Sequence, residues 1–135
     1  NEITIDNLVR YKNKDKEKDN MRITYQYKDY GEDAYSRTFE DDFALTNKEL
    51  FKEMSKVKGL AQKFKDIFIK YDNINEDVTE KLFEYVDNTK TTFALDILFN
   101  ELALDQPFKT PTYIKEGFTW LEQQLKKEND KSGDQ

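Results

Sequence analysis

The sequence predicts a predominantly helical α/β protein, with one or two strands near the N-terminus and about four or five helices after them. Apolar residues recur at helical spacing over most of the chain after Thr38, whereas residues 21–28 alternate between polar and apolar side chains. Only 36% of the 135 residues are hydrophobic, but aromatic residues make up 14% of the chain. Because aromatic rings bury much surface per residue, they can sustain a small core.

The composition excludes several classes of site and of protein. The sequence contains no cysteine and no histidine, which excludes disulfides, thiolate zinc sites and histidine-based catalytic relays within this chain. Any metal would therefore be a hard cation bound by carboxylate oxygens. The net charge of −6 argues against a stand-alone nucleic-acid-binding protein. No apolar run approaches the ~18 residues of a membrane span, so we expect a soluble protein without a membrane partner.

The N-terminal part predicts a weak amphipathic helix at 2–11, a solvated charged loop in KNKDKEKDN, and a strand in MRITYQYK (21–28). Ile23, Tyr25 and Tyr27 share one face of that strand. AYSRTF, which follows a turn, is either a short second strand or an extended approach to a helix. Because a lone strand or hairpin is marginal in water, this pattern indicates a piece of a larger protein.

Helical signals begin at Thr38, which forms a capping-box pattern with Asp41. Gly59 separates this helix from the next one. After Gly59, three sets of apolar residues recur at helical spacing, and a cap near Asn75 precedes the second set. The sets are Leu60, Phe64, Ile67, Phe68 and Tyr71; Val78, Leu82, Phe83 and Val86; and Ile114, Phe118, Leu121 and Leu125. Segment 91–104 is apolar nearly all round, which predicts the most buried helix. We assign 1–125 to a single domain and 126–135 to a polar, disordered tail.

Four segments in order resemble the overcoming-lysogenization-defect (OLD) nuclease family. MRITYQYKDYGEDAYSRTFEDDFALTN (21–47) is similar to a strand leading into that family's "RSFEDAF…N" stretch. TKTTFALDILF (89–99) is similar to its "K-x-x-FA-x-x-LL" segment, and PTYIKEGFTWLEQQL (111–125) to its closing helix. NEITIDNL (1–8) is the weakest match. Together these segments span most of the chain.

The resemblance implies the C-terminal half of a TOPRIM nuclease region, following an ATPase domain that binds ATP. The implied activity is Mg²⁺- or Mn²⁺-dependent DNA endonuclease cleavage in the bacterial cytoplasm, in anti-phage defence or DNA processing. The implied partners are DNA and two upstream segments of the same polypeptide, the ATPase domain and the first half of the TOPRIM region. A dimer is one option for the complete parent protein. The family's Glu-Gly and Asp-x-Asp metal motifs have no counterpart here, so we expect the isolated chain to be inactive.

The resemblance also implies site residues. Glu40 lies where the family carries an active-site acid, and Asp41 is the second candidate metal ligand; both also suit a helix start, where acids are favoured. Lys90 lies at the position of the family's active-site lysine, which neutralises charge on the phosphate; the alternative is a solvent-facing lysine. Arg37 is assigned either to DNA phosphate or to an ordinary surface role. Phe93, Leu95, Leu98, Phe118, Trp120 and Leu121 are expected in the core.

A second hypothesis is a helical protein–protein interaction module without catalytic activity, which binds a partner through its aromatic-rich faces. An upstream Walker A motif followed by the Glu-Gly and Asp-x-Asp strands would favour the nuclease. Within this chain, the discriminating observation is whether Glu40 and Lys90 approach each other on one surface.

Overall fold

A computed structural model describes residues 13–26, 34–87, 89–101, 104 and 106–133. These residues form two short strands and six helices, which confirms the predicted fold class. A 3-10 turn (Asn13–Lys16) precedes β1 (Glu17–Lys18) and β2 (Met21–Arg22). The helices are α1 (Phe39–Thr46), α2 (Lys48–Glu53), α3 (Gly59–Lys70), α4 (Glu76–Asp87), α5 (Lys90–Glu101) and α6 (Thr112–Gly133). None of the helices in these ranges is long and apolar enough to cross a bilayer.

The chain divides into two compact units, Lys28–Pro111 and the combination of Asn1–Tyr27 with Thr112–Gln135. The first unit holds the main core, which is built from the predicted stripes of α3 and α4. Its fully buried large side chains include Phe51, Phe64, Phe68, Val78, Leu82 and Val86. These residues leave water because the apolar positions of α3 and α4 repeat every three to four residues and so share one helix face.

Phenylalanine rings connect the helices of this unit. Phe51 of α2 packs edge-on against Phe64 of α3, with ring centroids 5.2 Å apart, and also lies 5.5 Å from Phe108. Phe108 in turn lies 5.1 Å from Phe43 of α1, and Phe43 meets Phe93 of α5 edge-on at 5.8 Å. Edge-on ring pairs contribute beyond the area they bury. The start of α5 is therefore tied to α1 through rings that continue into the core.

A second contact fixes α5 against α3. The Oδ2 atom of Asp96 accepts a hydrogen bond of 2.9 Å from the backbone N–H of Leu60 at the start of α3. Lys58, at the N-cap position, makes no side-chain cap, so Asp96 supplies the missing acceptor. Gly59 has φ of +60°, and a Cβ atom there would lie 2.6 Å from Asp96 Oδ2. Both the backbone conformation and the close approach require glycine.

Asn47 joins two distant segments of the first unit. It is 1% exposed, and its amide nitrogen donates to the backbone oxygens of Phe43 and Lys109, each at 2.9 Å. Its Oδ1 atom accepts from the Lys109 N–H at 2.7 Å. The Asn47 side chain thus both donates to and accepts from the Lys109 backbone, as the backbone of a neighbouring strand would. In this way it holds the segment after α5 against the junction of α1 and α2.

The second unit contains an antiparallel hairpin in which Glu17 pairs with Arg22. The prediction of a solvated loop is wrong at Lys16, because this residue is only 6% exposed. Lys16 Nζ lies 3.7 Å from Glu116 Oε1 on α6, and Arg22 bridges Glu116 and Glu17. A buried cation needs such a partner. Lys16 therefore belongs to the packed part of this unit.

The predicted strand at 21–28 is shorter than expected. Only Met21 and Arg22 pair in the ladder; residues 23–26 are in neither helix nor strand, and residues 27–33 lie outside the described part of the chain. Ile23, expected on the buried face, is 64% exposed. AYSRTF proves to be an approach to α1 in residues 34–38, since no ladder is assigned there. The helix predicted at 2–11 also lies outside the described residues.

The predicted burial of the last two helices is largely wrong. In α5, Phe93 is buried as expected, but Leu95 and Leu98 are 57% and 56% exposed. The described part of α5 is therefore not the most buried helix. In α6 no residue is buried, and Phe118 and Leu121 are 68% and 47% exposed. Helical spacing indicates which residues share a face, but it does not show that another element covers that face.

The prediction of one domain over 1–125 with a disordered tail at 126–135 stays a prediction. Helix α6 continues to Gly133, and the side chains of residues 126–133 are all exposed. Exposure along this stretch agrees with its lack of apolar residues to bury.

We predict that Asn47→Ala lowers the free energy of unfolding by about 2–4 kcal/mol, because it removes three hydrogen bonds and leaves buried backbone groups of Lys109 without partners. Thermal or urea denaturation followed by circular dichroism measures this change. Asn73→Ala is the control, since Asn73 is exposed and its replacement should change stability by no more than about 0.5 kcal/mol. Equal effects of the two substitutions would contradict the role assigned to Asn47.

Candidate active site

The start of α1 carries the acidic residues singled out in the sequence, and its local structure is the predicted capping box. Thr38 has an extended backbone, and its Oγ1 accepts from the Asp41 N–H at 3.4 Å. In return, Asp41 Oδ1 accepts from the Thr38 N–H at 2.7 Å. The reciprocal bonds satisfy donors that a helix start otherwise leaves without partners. The sequence thus determines where α1 begins, and with it where the neighbouring Glu40 lies.

Asp41 is fully occupied in this role. Its carboxylate is 0% exposed and also accepts from Thr38 Oγ1, from the Asp42 N–H and, through Oδ2, from the Arg37 N–H at 2.8 Å. A carboxylate that receives several N–H and O–H donors is held in one orientation and has few free lone pairs left. The structure therefore shows Asp41 as a helix cap, which is one of its two predicted roles. Its other predicted role, as a metal ligand, stays a prediction.

Glu40 differs from its two acidic neighbours. Asp41 and Asp42 are buried, at 0% and 3% exposure, whereas Glu40 is half-buried. No hydrogen bond or ion pair joins the Glu40 carboxylate to another residue within the described ranges. Of the three acids at the start of α1, Glu40 is therefore the one whose oxygens remain accessible to a ligand.

Phenylalanine rings connect α1 with the first turn of α5. The ring of Phe93 on α5 meets Phe39 edge-on with centroids 6.1 Å apart, and it meets Phe43 at 5.8 Å. Phe39 directly precedes Glu40, and Phe93 lies one helical turn after Lys90. These ring contacts link the two helix starts that carry Glu40 and Lys90. Lys90 begins α5, but its side chain lies outside the described part of the structure.

Residues around the start of α5 hold its first turn. Thr89 Oγ1 donates to the Tyr85 carbonyl oxygen of α4 at 2.6 Å, and the Thr89 carbonyl oxygen accepts from the N–H groups of Thr92 and Phe93. The position of α5 relative to α4 is thereby fixed at the residue before Lys90.

Arg37 lies next to this region. Its side chain is exposed, and its guanidinium carbon lies 5.2 Å from the centre of the Phe83 ring on α4. A cation over an aromatic face is held without losing its charge or its access to solvent. The prediction that Arg37 contacts DNA phosphate stays a prediction.

The starts of α1 and α5 offer two kinds of charged group. The N-termini of α1 and α5 each carry a partial positive charge, and Glu40 offers a half-buried carboxylate in the first turn of α1. Two-metal phosphodiester hydrolysis requires several clustered carboxylates. Within the ranges that the structure describes, no group of three or more acidic side chains is placed to hold a metal ion. These residues alone supply one candidate oxygen ligand.

Comparison with known proteins supports a link to nucleases. Over 114 residues, or 81% of its length, the chain is 33% identical to Endonuclease GajA of Bacillus cereus (strain HuB5-5). The matched region is only 16% of the length of that endonuclease, so the chain spans about one sixth of its relative. No family model matches the chain. No solved structure matches it significantly. The similarity indicates a nuclease-related lineage.

Two residues that connect distant segments of the first unit were not predicted from the sequence. Asp96 lies in the apolar segment 91–104, and Asn47 ends the segment 21–47, yet the side chains of both bind backbone groups of distant residues. A single polar residue within a strongly apolar helix, such as Asp96 in TTFALDILF, is the signal that indicates such a role, because burying an acid requires a partner.

We predict that the two neighbouring acids differ in how much they contribute to stability. Asp41→Ala should lower the free energy of unfolding by about 2–4 kcal/mol, since it leaves several donors at the start of α1 without an acceptor. Glu40→Gln should change it by no more than about 0.5 kcal/mol, because the Glu40 carboxylate has no hydrogen-bond or ion-pair partner among the described residues. Chemical denaturation of both variants checks this. A large loss in Glu40→Gln would show that Glu40 is structural.

Proposed function

We propose that the chain is the C-terminal part of a divalent-metal-dependent DNA endonuclease of the OLD family, in which Glu40 supplies a metal ligand and Lys90 a cation for the phosphate. The observation that carries the proposal is the similarity to an endonuclease over 81% of the chain. It agrees with the OLD-type segments at 21–47, 89–99 and 111–125. TOPRIM membership, ATP dependence and a defence role rest on that resemblance.

The geometry of the first unit supports the assignment of the site. The edge-on contact of Phe39 with Phe93 joins the first turn of α1 to the first turn of α5, and these two turns carry Glu40 and Lys90. Of the acids at 40–42, Glu40 is the accessible one. These are the features expected of one half of a site whose remaining ligands come from other segments.

The chemistry divides between this chain and those other segments. Mg²⁺ or Mn²⁺, when bound, would polarise the phosphate, generate the attacking hydroxide and stabilise the leaving oxygen. Glu40 would hold the metal through a carboxylate oxygen. The ammonium of Lys90 would neutralise charge that builds on the phosphorus centre. The net charge of −6 means that the metal, Lys90 and Arg37 must offset repulsion of the DNA backbone.

A helical interaction module is the second candidate function. The observation in its favour is the exposed apolar surface of α5, where Leu95, Leu98 and Phe99 are 57%, 56% and 74% exposed. Exposed apolar patches commonly mark contact surfaces. The complete gene discriminates between the two functions: an upstream Walker A motif with Glu-Gly and Asp-x-Asp strands supports the nuclease, and their absence supports the module.

We predict that the polypeptide encoded by the complete gene cleaves plasmid DNA with Mg²⁺ or Mn²⁺, and that Glu40→Gln and Lys90→Met each reduce the rate by about 100-fold or more, as expected when a metal ligand or a charge-stabilising group is lost. Gel assays of supercoiled plasmid measure the rate. Glu49→Gln and Lys58→Met are matched controls, because both residues are exposed. If the controls and the site variants lose activity equally, or if neither loses any, the assignment fails.

A further inference from the structure

The face of α5 that packs within the first unit carries two polar residues. Phe93, Asp96, Ile97 and Asn100 follow each other at spacings of three, one and three residues, so their side chains lie within about 100° of each other on the helix surface. Phe93 and Asn100 are buried, and Asp96 and Ile97 are half-buried. We call these four residues the inner face of α5.

The opposite face of α5 is more apolar than the inner face. It consists of Ala94, Leu95, Leu98 and Phe99, which are all exposed. The hydrophobic effect is non-directional and favours burial of the most apolar surface. Within the described residues, burial alone would therefore favour a helix turned the other way round. A directional contact is needed to account for the rotational position that α5 adopts.

The hydrogen bond of Asp96 is such a contact. Its Oδ2 atom accepts from the Leu60 N–H at 2.9 Å, and the residue at the N-cap position of α3 provides no side-chain acceptor in its place. If α5 turned its apolar face inward, Asp96 would leave this contact and the Leu60 N–H would lose its acceptor. Leu60 is buried, so water could not readily replace the carboxylate. The loss of the bond therefore opposes rotation of α5.

The rotational position of α5 determines where its first residue lies. Lys90 begins α5, six residues before Asp96, which is about 9 Å along the helix axis. Rotation of a helix by 100° moves each Cα atom by about 3.5 Å, given the radius of the helix. Because misplacement of a reacting group by about 1 Å can cost roughly 100-fold in rate, Asp96 can affect a reaction without touching the reacting atoms.

We propose that Asp96 is a positioning residue, whose hydrogen bond to the Leu60 N–H selects the inner face of α5 and thereby places the start of α5 for the reaction. The effect on the reaction rests on the function proposed for Lys90. The selection of the inner face does not rest on it and is tested separately.

Thiol reactivity of the 135-residue chain tests the rotational position of α5. The chain contains no cysteine, so a single introduced thiol reports on its own position. We expect Leu98→Cys, on the exposed face, to react with a maleimide at least about fivefold faster than Ile97→Cys, on the inner face. Asp96→Leu should lower this ratio to about one or less, because it removes the directional contact and leaves burial to select the face. An unchanged ratio in Asp96→Leu overturns the proposal.

Asp66→Leu is the matched control for this experiment. Asp66 is an exposed acid of α3, and its carboxylate accepts from Gln62 of the same helix. Its replacement should leave the ratio of the two labelling rates within about twofold of the original value. A control that lowers the ratio as much as Asp96→Leu would also overturn the proposal. Circular dichroism verifies that all variants are folded.

Cleavage kinetics of the polypeptide encoded by the complete gene test the effect on the reaction. We expect Asp96→Leu to lower kcat by about 10-fold or more, with the KM for plasmid DNA within about twofold of wild type. Asp96→Asn retains an acceptor oxygen and should restore most of the rate. In the Lys90→Met background, Asp96→Leu should lower the rate by no more than about twofold, because the group that it positions is already absent.

The backgrounds also separate positioning from a general loss of folded enzyme. An equal loss of rate from Asp96→Leu with and without Lys90 would show that Asp96 acts on stability alone, and would overturn the proposal. A complete wild-type polypeptide that does not cleave DNA would instead contradict the proposed function. The thiol ratio would then still decide whether Asp96 selects the inner face of α5.

Discussion

The edge-on packing of Phe93 between Phe39 and Phe43 is the interaction on which the candidate site depends. Phe93 is 8% exposed, although its helix is otherwise among the more exposed helices of the described chain. Through this ring the start of α5 is held against the start of α1, and the ring of Phe43 continues the contact to Phe108 and the core. Because aromatic pairs resist displacement in a packed interior, the two first turns keep their mutual position.

Local signals in the sequence were sufficient for the helices of the first unit. The stripes of α3 and α4, the glycine at 59 and the capping box of Thr38 with Asp41 each act within a few residues, so a pattern in the chain reports them directly. The cap formed by Asp41 was predicted correctly for the same reason, since its contact with Thr38 spans only three residues. The structure around Glu40 was predictable to this extent: the helix start and the acid-rich first turn.

Contacts between distant residues were not predictable in this way. Asn47 holds Lys109 over a separation of 62 residues, and Asp96 accepts from the N–H of Leu60, which lies 36 residues earlier. A single sequence contains no periodic signal for such pairs. The error at 91–104 has the same origin. Its apolar residues indicate a helix with much surface to cover, but Leu95, Leu98 and Phe99 remain exposed, since burial depends on what surrounds the helix and not on its own composition.

The distribution of carboxylates at the start of α1 bears on how a catalytic site would be completed. Three successive acids suggest a ready metal cluster, yet Asp41 is enclosed by the donors it caps, and Asp42 is 3% exposed. One accessible carboxylate cannot bind two divalent ions, because each ion needs several oxygen ligands. If the chain takes part in two-metal hydrolysis, the other ligands therefore come from segments outside the described residues. Within the described residues, the ring contacts of Phe93 link the start of α1, which carries that carboxylate, to the start of α5.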